Sequence, residues 1–282
     1  MSTDQKDLEQ QTSRFCDVGG MTVHFHDLGK GEPLVLLHGG GPGAAGWSNY
    51  SRNVAFFAQR FRTIVIDIPG FGKSDKKAAS KDVLEFMAGA VRGVLDSLDI
   101  PKVSFVGNSL GGGVALKFAL MHPERVERLV LMGSGGSIPI FNTMPEGVKH
   151  LRGYYGGTGP SFEKLKAFID CLVFDPSQIS DELLRGRYEN SLDPEVVENP
   201  PLKMLAQSAS DQLWRDNLGT LPHRTLLVWG REDRTVPLDA AFILLRTIPQ
   251  ASLHVFPQCG HWAQWEKADE FNSLVAGFLE RA

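Results

Sequence analysis

One serine in this 282-residue chain stands in a setting that favours nucleophilic chemistry. The run Gly107-Asn108-Ser109-Leu110-Gly111 follows an apolar stretch, Val103–Val106, and precedes a run with helical periodicity. A Gly-x-Ser-x-Gly sequence between a strand and a helix is typical of a tight turn that exposes the serine hydroxyl, with glycine where a β-carbon would clash. We predict that Ser109 is a nucleophile and that the backbone N–H of Leu110 faces the oxyanion. Because such a short pattern also arises by chance, the prediction depends on partners elsewhere in the chain.

A glycine-rich loop lies upstream of this serine, at the end of another apolar stretch. Pro33–Leu37 leads into His38-Gly39-Gly40-Gly41-Pro42-Gly43, and such a loop leaves backbone N–H groups open to an anion. A dinucleotide-binding loop is the alternative, but it requires a helix directly after the glycines and an acidic residue about 20 positions on. The sequence after the next strand, Asp67-Ile68-Pro69-Gly70, is typical of turns instead. We therefore predict that Gly40 and Leu110 donate the two N–H groups of an oxyanion hole.

Two downstream loops supply a candidate acid and a candidate base. Thr225–Trp229 leads into Glu232 and Asp233, of which we favour Asp233 as the acid. The last apolar stretch before the C-terminus leads into a loop that carries His261. An imidazole, with an ordinary pKa near ~6.5, accepts the serine proton at neutral pH, and a carboxylate fixes its tautomer. Ser109, Asp233 and His261 occur in the chain order of the catalytic triad of α/β-hydrolases.

Each of these residues also has an ordinary structural interpretation. Asp233 is a loop carboxylate that Arg231 or Arg234 can neutralise, and His261 taken alone resembles many loop histidines. The complete set in this order makes chance a poor explanation. The sequence has no metal-site spacing of Cys, His or acidic residues and no cofactor-binding loop, so we expect neither a metal nor a cofactor.

Composition places the chain among globular proteins and argues against several partners. Hydrophobic residues make up 42% and charged residues 22%, with a net charge of −4 and no basic tract to bind nucleic acid. No apolar run approaches the ~18 residues of a membrane span. The N-terminus is polar and lacks the apolar segment of a secretory signal. Cys16, Cys171 and Cys259 are widely spaced and fit free thiols in a reducing compartment, so we expect a cytoplasmic protein.

Short apolar strands alternate with helical patterns, which predicts an α/β protein with a mostly parallel sheet covered on both faces. Arg14–Val18 and Thr22–Asp27 alternate polar and apolar residues across Gly19-Gly20, which predicts an antiparallel N-terminal hairpin at a sheet edge. The other predicted strands are continuous apolar runs, as in strands buried on both faces: Pro33–Leu37, Arg62–Ile66, Val103–Val106, Arg128–Met132, Thr225–Trp229 and Ser252–Phe256. The predicted helices are Leu84–Leu98, Leu110–Met121, Ala240–Thr247 and Ala268–Leu279.

One stretch, residues 137–212, interrupts this alternation. It contains short amphipathic helical segments between Gly and Pro residues and no convincing core strand. An insertion at this point predicts a helical cap over the carboxyl ends of the strands, where ligands bind in open α/β sheets. A surface insertion without function is the alternative. The predicted division is a core domain in two parts, residues 1–136 and 213–282, with the cap between them.

Several sequence blocks resemble the meta-cleavage product hydrolases, which are carbon–carbon bond hydrolases of bacterial aromatic degradation, and the biphenyl-pathway type in particular. The resemblance extends from about Gly20 to the C-terminus and includes the cap. It implies an α/β-hydrolase fold, and it supports Asp233 over Glu232. The blocks that carry it are Leu37–Ala44, Gly46–Tyr50, Pro69–Asp75, Gly107–Ser109, Leu131–Gly133, Gly186-Arg187, Gly230–Arg234 and Cys259–Glu266.

The resemblance implies a 2-hydroxy-6-oxo-hexa-2,4-dienoate as substrate, which hydrolysis converts to 2-hydroxypenta-2,4-dienoate and a carboxylic acid. The dienol must become a ketone before the C–C bond breaks, because the departing carbanion needs an electron sink. Arg187 would hold the dienoate carboxylate or enolate with Asn108 and Trp262, since a guanidinium binds a carboxylate in two places. Phe168–Phe174 would line the pocket for the C6 substituent. The same polar end would include Gly40, Gly41, Asn49 and Ser177.

The resemblance also implies a homo-oligomer, a dimer or larger. Without it, Arg187 is better interpreted as an exposed helix residue paired with Glu182 or Glu189, and Trp262 as a core residue. The main alternative function is a serine carboxylesterase or lactonase on the same fold, which needs no charge clamp. Haloalkane dehalogenases and epoxide hydrolases have an aspartate in the tight turn where this chain has Ser109, so Ser109 argues against both. A non-enzymatic receptor need not keep all three triad residues.

Overall fold

The computed structural model describes residues 3–77, 82–134, 144–201, 213 and 216–280. Its strands are β1 (Ser13–Asp17), β2 (Thr22–Leu28), β3 (Pro33–Leu37), β4 (Arg62–Ile66), β5 (Val103–Asn108), β6 (Val126–Met132), β7 (Arg224–Gly230) and β8 (Ala251–Phe256). They form one eight-stranded sheet in the order β1-β2-β4-β3-β5-β6-β7-β8. β2 pairs antiparallel with β1 and with β4, and the other pairs are parallel. The predicted α/β class and the antiparallel edge hairpin are confirmed.

Helices cover both faces of the sheet and form an insertion between β6 and β7. The α-helices of the described residues are α1 (Thr3–Thr12), α2 (Gly46–Tyr50), α3 (Val54–Ala58), α4 (Val83–Ser97), α5 (Leu110–Met121), α6 (Glu146–Gly153), α7 (Phe162–Leu172), α8 (Asp181–Ser191), α9 (Pro194–Glu198), α10 (Asp239–Thr247), α11 (Ala263–Glu266) and α12 (Ala268–Glu280). Among these helices, none is long and apolar enough to cross a membrane.

The central strands have buried side chains on both faces, which explains their continuous apolar runs. In β3, Val35 and Leu37 pack with α4 and α5, whereas Leu34 and Leu36 pack on the other face with α2, α3 and α12. All four side chains are fully buried. The result is a three-layer arrangement in which the carboxyl ends of the parallel strands meet along one edge.

We refer to residues 144–201, which include α6 to α9, as the cap. The cap contacts this edge of the sheet: the Arg187 side chain donates to the carbonyl oxygen of Pro42, and the His261 N–H donates to the carbonyl oxygen of Leu172. The cap also has its own apolar cluster, which includes Phe168. The predicted domain boundaries, 136/137 and 212/213, involve residues outside the described part of the chain, so the three-part division stays a prediction.

The predicted strands and core helices have ends within two residues of those in the structure. The N-terminal helix α1 was missed because its sequence is polar and has no apolar stripe. A tertiary contact ties it to the sheet instead, since the hydroxyl of Thr12 lies 3.0 Å from Nδ1 of His26 in β2. Such a contact has no signature in the local sequence.

Candidate active site

Ser109 lies at the turn between β5 and α5, in a backbone conformation that side-chain-bearing residues rarely adopt. Its φ is +50° and its ψ is −111°. Backbone strain of this kind typically costs about 1–3 kcal/mol and occurs at functional sites. A β-carbon on Gly107 would lie 2.5 Å from the carbonyl oxygen of Gly111, and one on Gly111 would lie 2.2 Å from that of Leu37. Both glycines are therefore required for the turn that presents the serine.

The glycine-rich loop after β3 is held against the first turn of α5. The Gly111 N–H donates to the carbonyl oxygen of His38 at 3.1 Å. The imidazole of His38 lies 2.8 Å from the carbonyl oxygen of Gly39 through Nδ1, and its Nε2 accepts from the N–H of Ile68 at 3.0 Å. Because Nε2 accepts, Nδ1 carries the proton, and burial lowers the pKa of His38, which favours this neutral form.

This arrangement holds the glycine-rich loop beside the start of α5. As the first residue of α5, Leu110 has an N–H that helix geometry leaves without an intrahelical acceptor. A β-carbon on Gly39 would lie 3.4 Å from Cβ of Ser109, so the loop runs directly beside the serine. The geometry is compatible with the predicted oxyanion hole of Gly40 and Leu110 N–H groups, which we retain as a proposal.

Asp233 and His261 form a buried pair. Nδ1 of His261 lies 2.6 Å from Oδ2 of Asp233, and both side chains are almost fully buried. Oδ1 of Asp233 accepts from the N–H groups of Thr235 at 2.8 Å and Val236 at 2.9 Å. The carboxylate is thereby fixed, and with the proton on Nδ1 the other ring nitrogen of His261 is free to accept one.

Contacts through the end of β6 place this pair next to the serine. The Ser109 N–H donates to the carbonyl oxygen of Met132 at 2.9 Å. The next residue, Gly133, has its Cα against the His261 ring, because a β-carbon there would lie 2.8 Å from both Cε1 and Nδ1. The structure therefore brings Ser109, Asp233 and His261 together around Gly133.

The neighbouring acid, Glu232, points elsewhere. One of its oxygens pairs with Arg231 at 2.8 Å, and the other accepts from the N–H of Cys259 at 3.1 Å. The turn after β7 directs Asp233, and not Glu232, to the histidine.

Gly133 is a site residue that the sequence did not single out. Its φ of +50° disfavours a side chain, and its contact with the His261 ring leaves no room for one. In Gly133→Ala we expect the displaced histidine to lower kcat by about 10²-fold on any substrate. We also expect the free energy of unfolding to fall by about 1–2 kcal/mol, measured by thermal unfolding.

Gly89→Ala is the matched control, because a β-carbon at this position in α4 meets open space. Alanine is the better helix former, so this variant should keep full activity and gain up to about 1 kcal/mol of stability. An unchanged kcat in Gly133→Ala would contradict the role of Gly133 in placing His261.

Arg187 is buried at the junction of cap and core. Only 2% of it is exposed, and its Nε and Nη2 donate to the carbonyl oxygen of Pro42 at 3.2 and 3.1 Å. Its guanidinium carbon lies 4.9 Å from the ring centroid of Trp262, within the range of a cation–π interaction. Burial lowers the pKa of Arg187 to about 10, against the opposing effect of Tyr155 and Tyr154. The alternative of an exposed ion pair is wrong for this arginine.

Within the described residues, Nδ2 of Asn49 on α2 lacks a hydrogen-bond partner, and so do two buried polar atoms at this junction, Nη1 of Arg187 and Oδ1 of Asn108. A buried cation without an anion is costly, and so is each unpaired polar atom. Gly39 and Gly41 link these groups, because a β-carbon on Gly39 would lie 2.9 Å from Oδ1 of Asn108 and one on Gly41 would lie 2.9 Å from Nη2 of Arg187. The polar site beside the serine thus presents a cation to an anion, through Arg187, and an acceptor to a hydroxyl group, through Oδ1 of Asn108.

Ser177 does not join this site. Its side chain is exposed, and its hydroxyl donates to the carboxylate of Asp175 at 2.7 Å within a short turn after α7. Of the segment Phe168–Phe174, which was predicted to line the pocket for the C6 substituent, Phe168 lies against Gly41, whereas Phe174 is 47% exposed. We leave Ser177 out of the proposed anion site.

A cavity of about 600 Å³ lies between cap and core. Its lining is mostly apolar and includes Gly40 and Pro42 of the core and Leu151 and Tyr155 of the cap. A cavity of this size accommodates a small organic ligand. Among the described residues, no group of three or more His, Cys, Asp or Glu side chains is arranged to hold a metal ion.

The sequence of this chain matches a known protein family. Residues 32–268 match the family described as having the alpha/beta hydrolase fold. A 2-hydroxy-6-oxo-6-phenylhexa-2,4-dienoate hydrolase from Burkholderia cepacia is 46% identical in sequence, in an alignment that covers 96% of this chain and 97% of that protein. The chain belongs to the meta-cleavage product hydrolases. It is therefore a hydrolase, as the resemblance in the sequence implied.

Other members of the meta-cleavage product hydrolases differ in the substrates for which they are named. A 2-hydroxy-6-oxononadienedioate/2-hydroxy-6-oxononatrienedioate hydrolase from Comamonas testosteroni is 44% identical over 96% of this chain and 97% of its own. The crystal structure of the 2-hydroxy-6-oxo-6-phenylhexa-2,4-dienoate hydrolase from Rhodococcus sp. strain RHA1 has a TM-score of 0.88 at 30% identity, covering 95% of this chain and 98% of that one. Identity alone therefore does not select the C6 substituent.

Proposed function

We propose that this enzyme hydrolyses 2-hydroxy-6-oxo-hexa-2,4-dienoates that carry an aryl or alkyl group on C6, giving 2-hydroxypenta-2,4-dienoate and a carboxylic acid. The observation that carries the proposal is the buried Arg187, whose Nη1 lacks a partner in the described part of the chain beside the triad. A serine esterase needs the triad and the oxyanion hole, but it has no use for a desolvated cation there. The family relatives named for dienoate substrates support the same conclusion.

The residues have complementary roles in the proposed reaction. Arg187 and the Nδ2 group of Asn49 donate to the C1 carboxylate, Oδ1 of Asn108 accepts from the C2 hydroxyl, and Trp262 supports the guanidinium. Ketonisation moves the proton of the C2 hydroxyl to C5, so that C2 becomes the carbonyl that accepts electrons. The cation of Arg187 favours loss of the C2 hydroxyl proton and the later C–C cleavage, because both place negative charge on the C2 oxygen.

Cleavage then takes place at C6. Either Ser109 attacks the C6 carbonyl and water later releases the acyl group, or Ser109 and His261 activate water to form a gem-diol. In both routes the N–H groups of Gly40 and Leu110 stabilise the oxyanion, and Asp233 stabilises the protonated His261. The electron pair of the C5–C6 bond passes to the C2 oxygen, which takes a proton, and one water is consumed in total.

The assignment is tested by stopped-flow absorbance with a synthetic, yellow 6-phenyl dienoate. We expect the chromophore to disappear with a kcat/KM at least about 10²-fold above that for p-nitrophenyl acetate, because only the dienoate uses the clamp at Arg187. Dienoates with 6-methyl and 6-(2-carboxyethyl) groups, compared in the same assay, identify the preferred substituent. A stable chromophore with folded protein that hydrolyses p-nitrophenyl esters rapidly would establish the esterase or lactonase alternative instead.

We also propose that the protein is a cytoplasmic homo-oligomer, a dimer or larger. Each chain would comprise a core of residues 1–136 and 213–282 and a cap domain of residues 137–212, which includes the cap residues 144–201 described above. Three cysteines without disulfides support the compartment. Phe242 and Ile243 on α10 are exposed apolar residues, of the kind that subunit interfaces cover. Light scattering coupled to gel filtration tests the assembly, and a mass equal to that of the monomer would contradict it.

A further inference from the structure

Glu266 connects the loop of the catalytic histidine to the cap. It lies at the end of α11, five residues after His261. Its Oε1 accepts from the N–H of Gly260 at 2.7 Å, and its Oε2 accepts from the N–H of Phe174 at 2.7 Å. One carboxylate thus contacts the residue before the histidine and a residue of the cap.

Two further contacts hold the same segments together. The N–H of His261 donates to the carbonyl oxygen of Leu172 at 2.6 Å. A β-carbon on Gly260 would lie 2.6 Å from that same oxygen, so the backbones touch at this point. The position of His261 is therefore defined against residues 172–174 of the cap as well as against Asp233.

Residues 172–174 also determine where the proposed anion site lies. They begin with the last residue of α7, the helix that places Phe168 against Gly41, and a short turn connects them to α8, which carries Arg187. A shift of this segment relative to the core moves the Arg187 cation and the histidine base relative to each other. Ketonisation and C–C cleavage require both groups on one substrate molecule.

We propose that Glu266 is a positioning residue that couples the cap to the catalytic histidine, so that Arg187 and His261 act on the dienoate together. The inference rests on the proposed dienoate hydrolysis for its kinetic part. Glu266 is half-buried, and both of its oxygens are occupied by N–H donors. Glutamine has the same shape but only one acceptor oxygen, so in Glu266→Gln an NH₂ group must face one of the two N–H donors.

Glu232, on the loop after β7, provides a matched control because its carboxylate also binds a backbone N–H of the histidine loop. Its Oε2 accepts from the N–H of Cys259, the residue before Gly260, while its Oε1 pairs with the exposed Arg231. In Glu232→Gln the remaining oxygen can still accept from Cys259, and only an exposed ion pair is lost. Both variants remove one negative charge close to His261, but only Glu266→Gln disturbs the contact with the cap.

The first test compares kcat on the 6-phenyl dienoate with kcat on p-nitrophenyl acetate. Hydrolysis of this ester needs His261 but not the carboxylate-binding Arg187. For Glu266→Gln we expect a fall of about 10-fold or more on the dienoate and of about threefold or less on the ester. Glu232→Gln should remain within about twofold on both. Equal losses on both substrates would overturn the coupling, because Glu266 would then support the histidine alone, and so would unchanged kinetics on both.

The second test requires no substrate, so it separates failure of this inference from failure of the proposed function. Amide hydrogen exchange is measured at Phe174, on the cap side, and at Gly260 and His261, on the core side. In Glu266→Gln, exchange should accelerate by about 10-fold at both sides together, whereas Glu232→Gln should leave Phe174 unchanged. Acceleration on one side alone, or on neither, would overturn the proposal even if the wild-type enzyme did not consume the dienoate.

Discussion

Ser109→Ala is expected to lower kcat by at least about 10⁴-fold on both the dienoate and p-nitrophenyl acetate. The turn between β5 and α5 places Ser109 close to the Asp233–His261 pair through Met132 and Gly133, and either proposed route through the C6 carbonyl depends on its hydroxyl. Alanine has no oxygen to attack the carbonyl or to bind water, and the strained φ of +50° is retained with a smaller side chain. Stopped-flow absorbance measures the dienoate reaction, and p-nitrophenolate release measures the ester reaction.

Binding of the dienoate should survive in this variant. Arg187 and the two asparagines of the anion site are untouched, so we expect a Kd within about threefold of the wild-type value. Ser97→Ala is the control, because that hydroxyl donates to a carbonyl oxygen at the end of α4, away from the site. If Ser109→Ala kept kcat within tenfold of the wild type, Ser109 would be neither the nucleophile nor the group that activates water.

The proximity of the three proposed triad residues was predictable because each lies in a turn that directly follows a strand of the parallel sheet. Glycines flank Ser109 at positions where the backbone leaves no room for a β-carbon. Asp233 follows the buried strand β7, and His261 follows β8, an edge strand that is only partly buried, contrary to the prediction that it is buried on both faces. Parallel strands bring their carboxyl ends to one edge. Chain order and strand ends were sufficient to predict that Ser109, His261 and an acidic residue of the loop after β7 meet at this edge.

The choice between Glu232 and Asp233 had a different basis. It depends on backbone N–H groups of the turn, which fix the Asp233 carboxylate. Neighbouring acids in a loop have no distinguishing pattern in the sequence, and only the family resemblance separated them. Gly133 was missed for a related reason, because the ring that excludes its side chain comes from a loop far along the chain.

Arg187 shows where local sequence reasoning fails. Its helix, α8, has acidic residues at suitable positions, so an exposed ion pair was the better interpretation of the residues alone. In the structure the candidate partner Glu182 pairs with Lys6 at 2.8 Å instead. The burial of Arg187 results from contact between the cap and the loop after β3, which are separated by more than a hundred residues.

Arg187→Gln is expected to lower kcat/KM on the dienoate by about 10²–10³-fold, with a loss of about threefold or less on p-nitrophenyl acetate. Charge-assisted hydrogen bonds to a carboxylate contribute about 1.5–3 kcal/mol each, and the planar guanidinium offers two. Glutamine provides a single neutral NH₂ group, so it can neither neutralise the C1 carboxylate nor favour charge on the C2 oxygen. The simple ester has neither group and uses only the triad and the oxyanion hole.

Arg185→Gln serves as the control on the same helix, because the Arg185 side chain is exposed. Its guanidinium carbon lies 5.9 Å from the centroid of the Phe162 ring. It should match the wild type on both substrates. The informative quantity for Arg187→Gln is the loss on the dienoate divided by the loss on p-nitrophenyl acetate, because a misplaced cap or a less stable fold lowers both activities together. Equal losses would reject the carboxylate clamp and, with it, the reason for burying a cation next to a serine nucleophile.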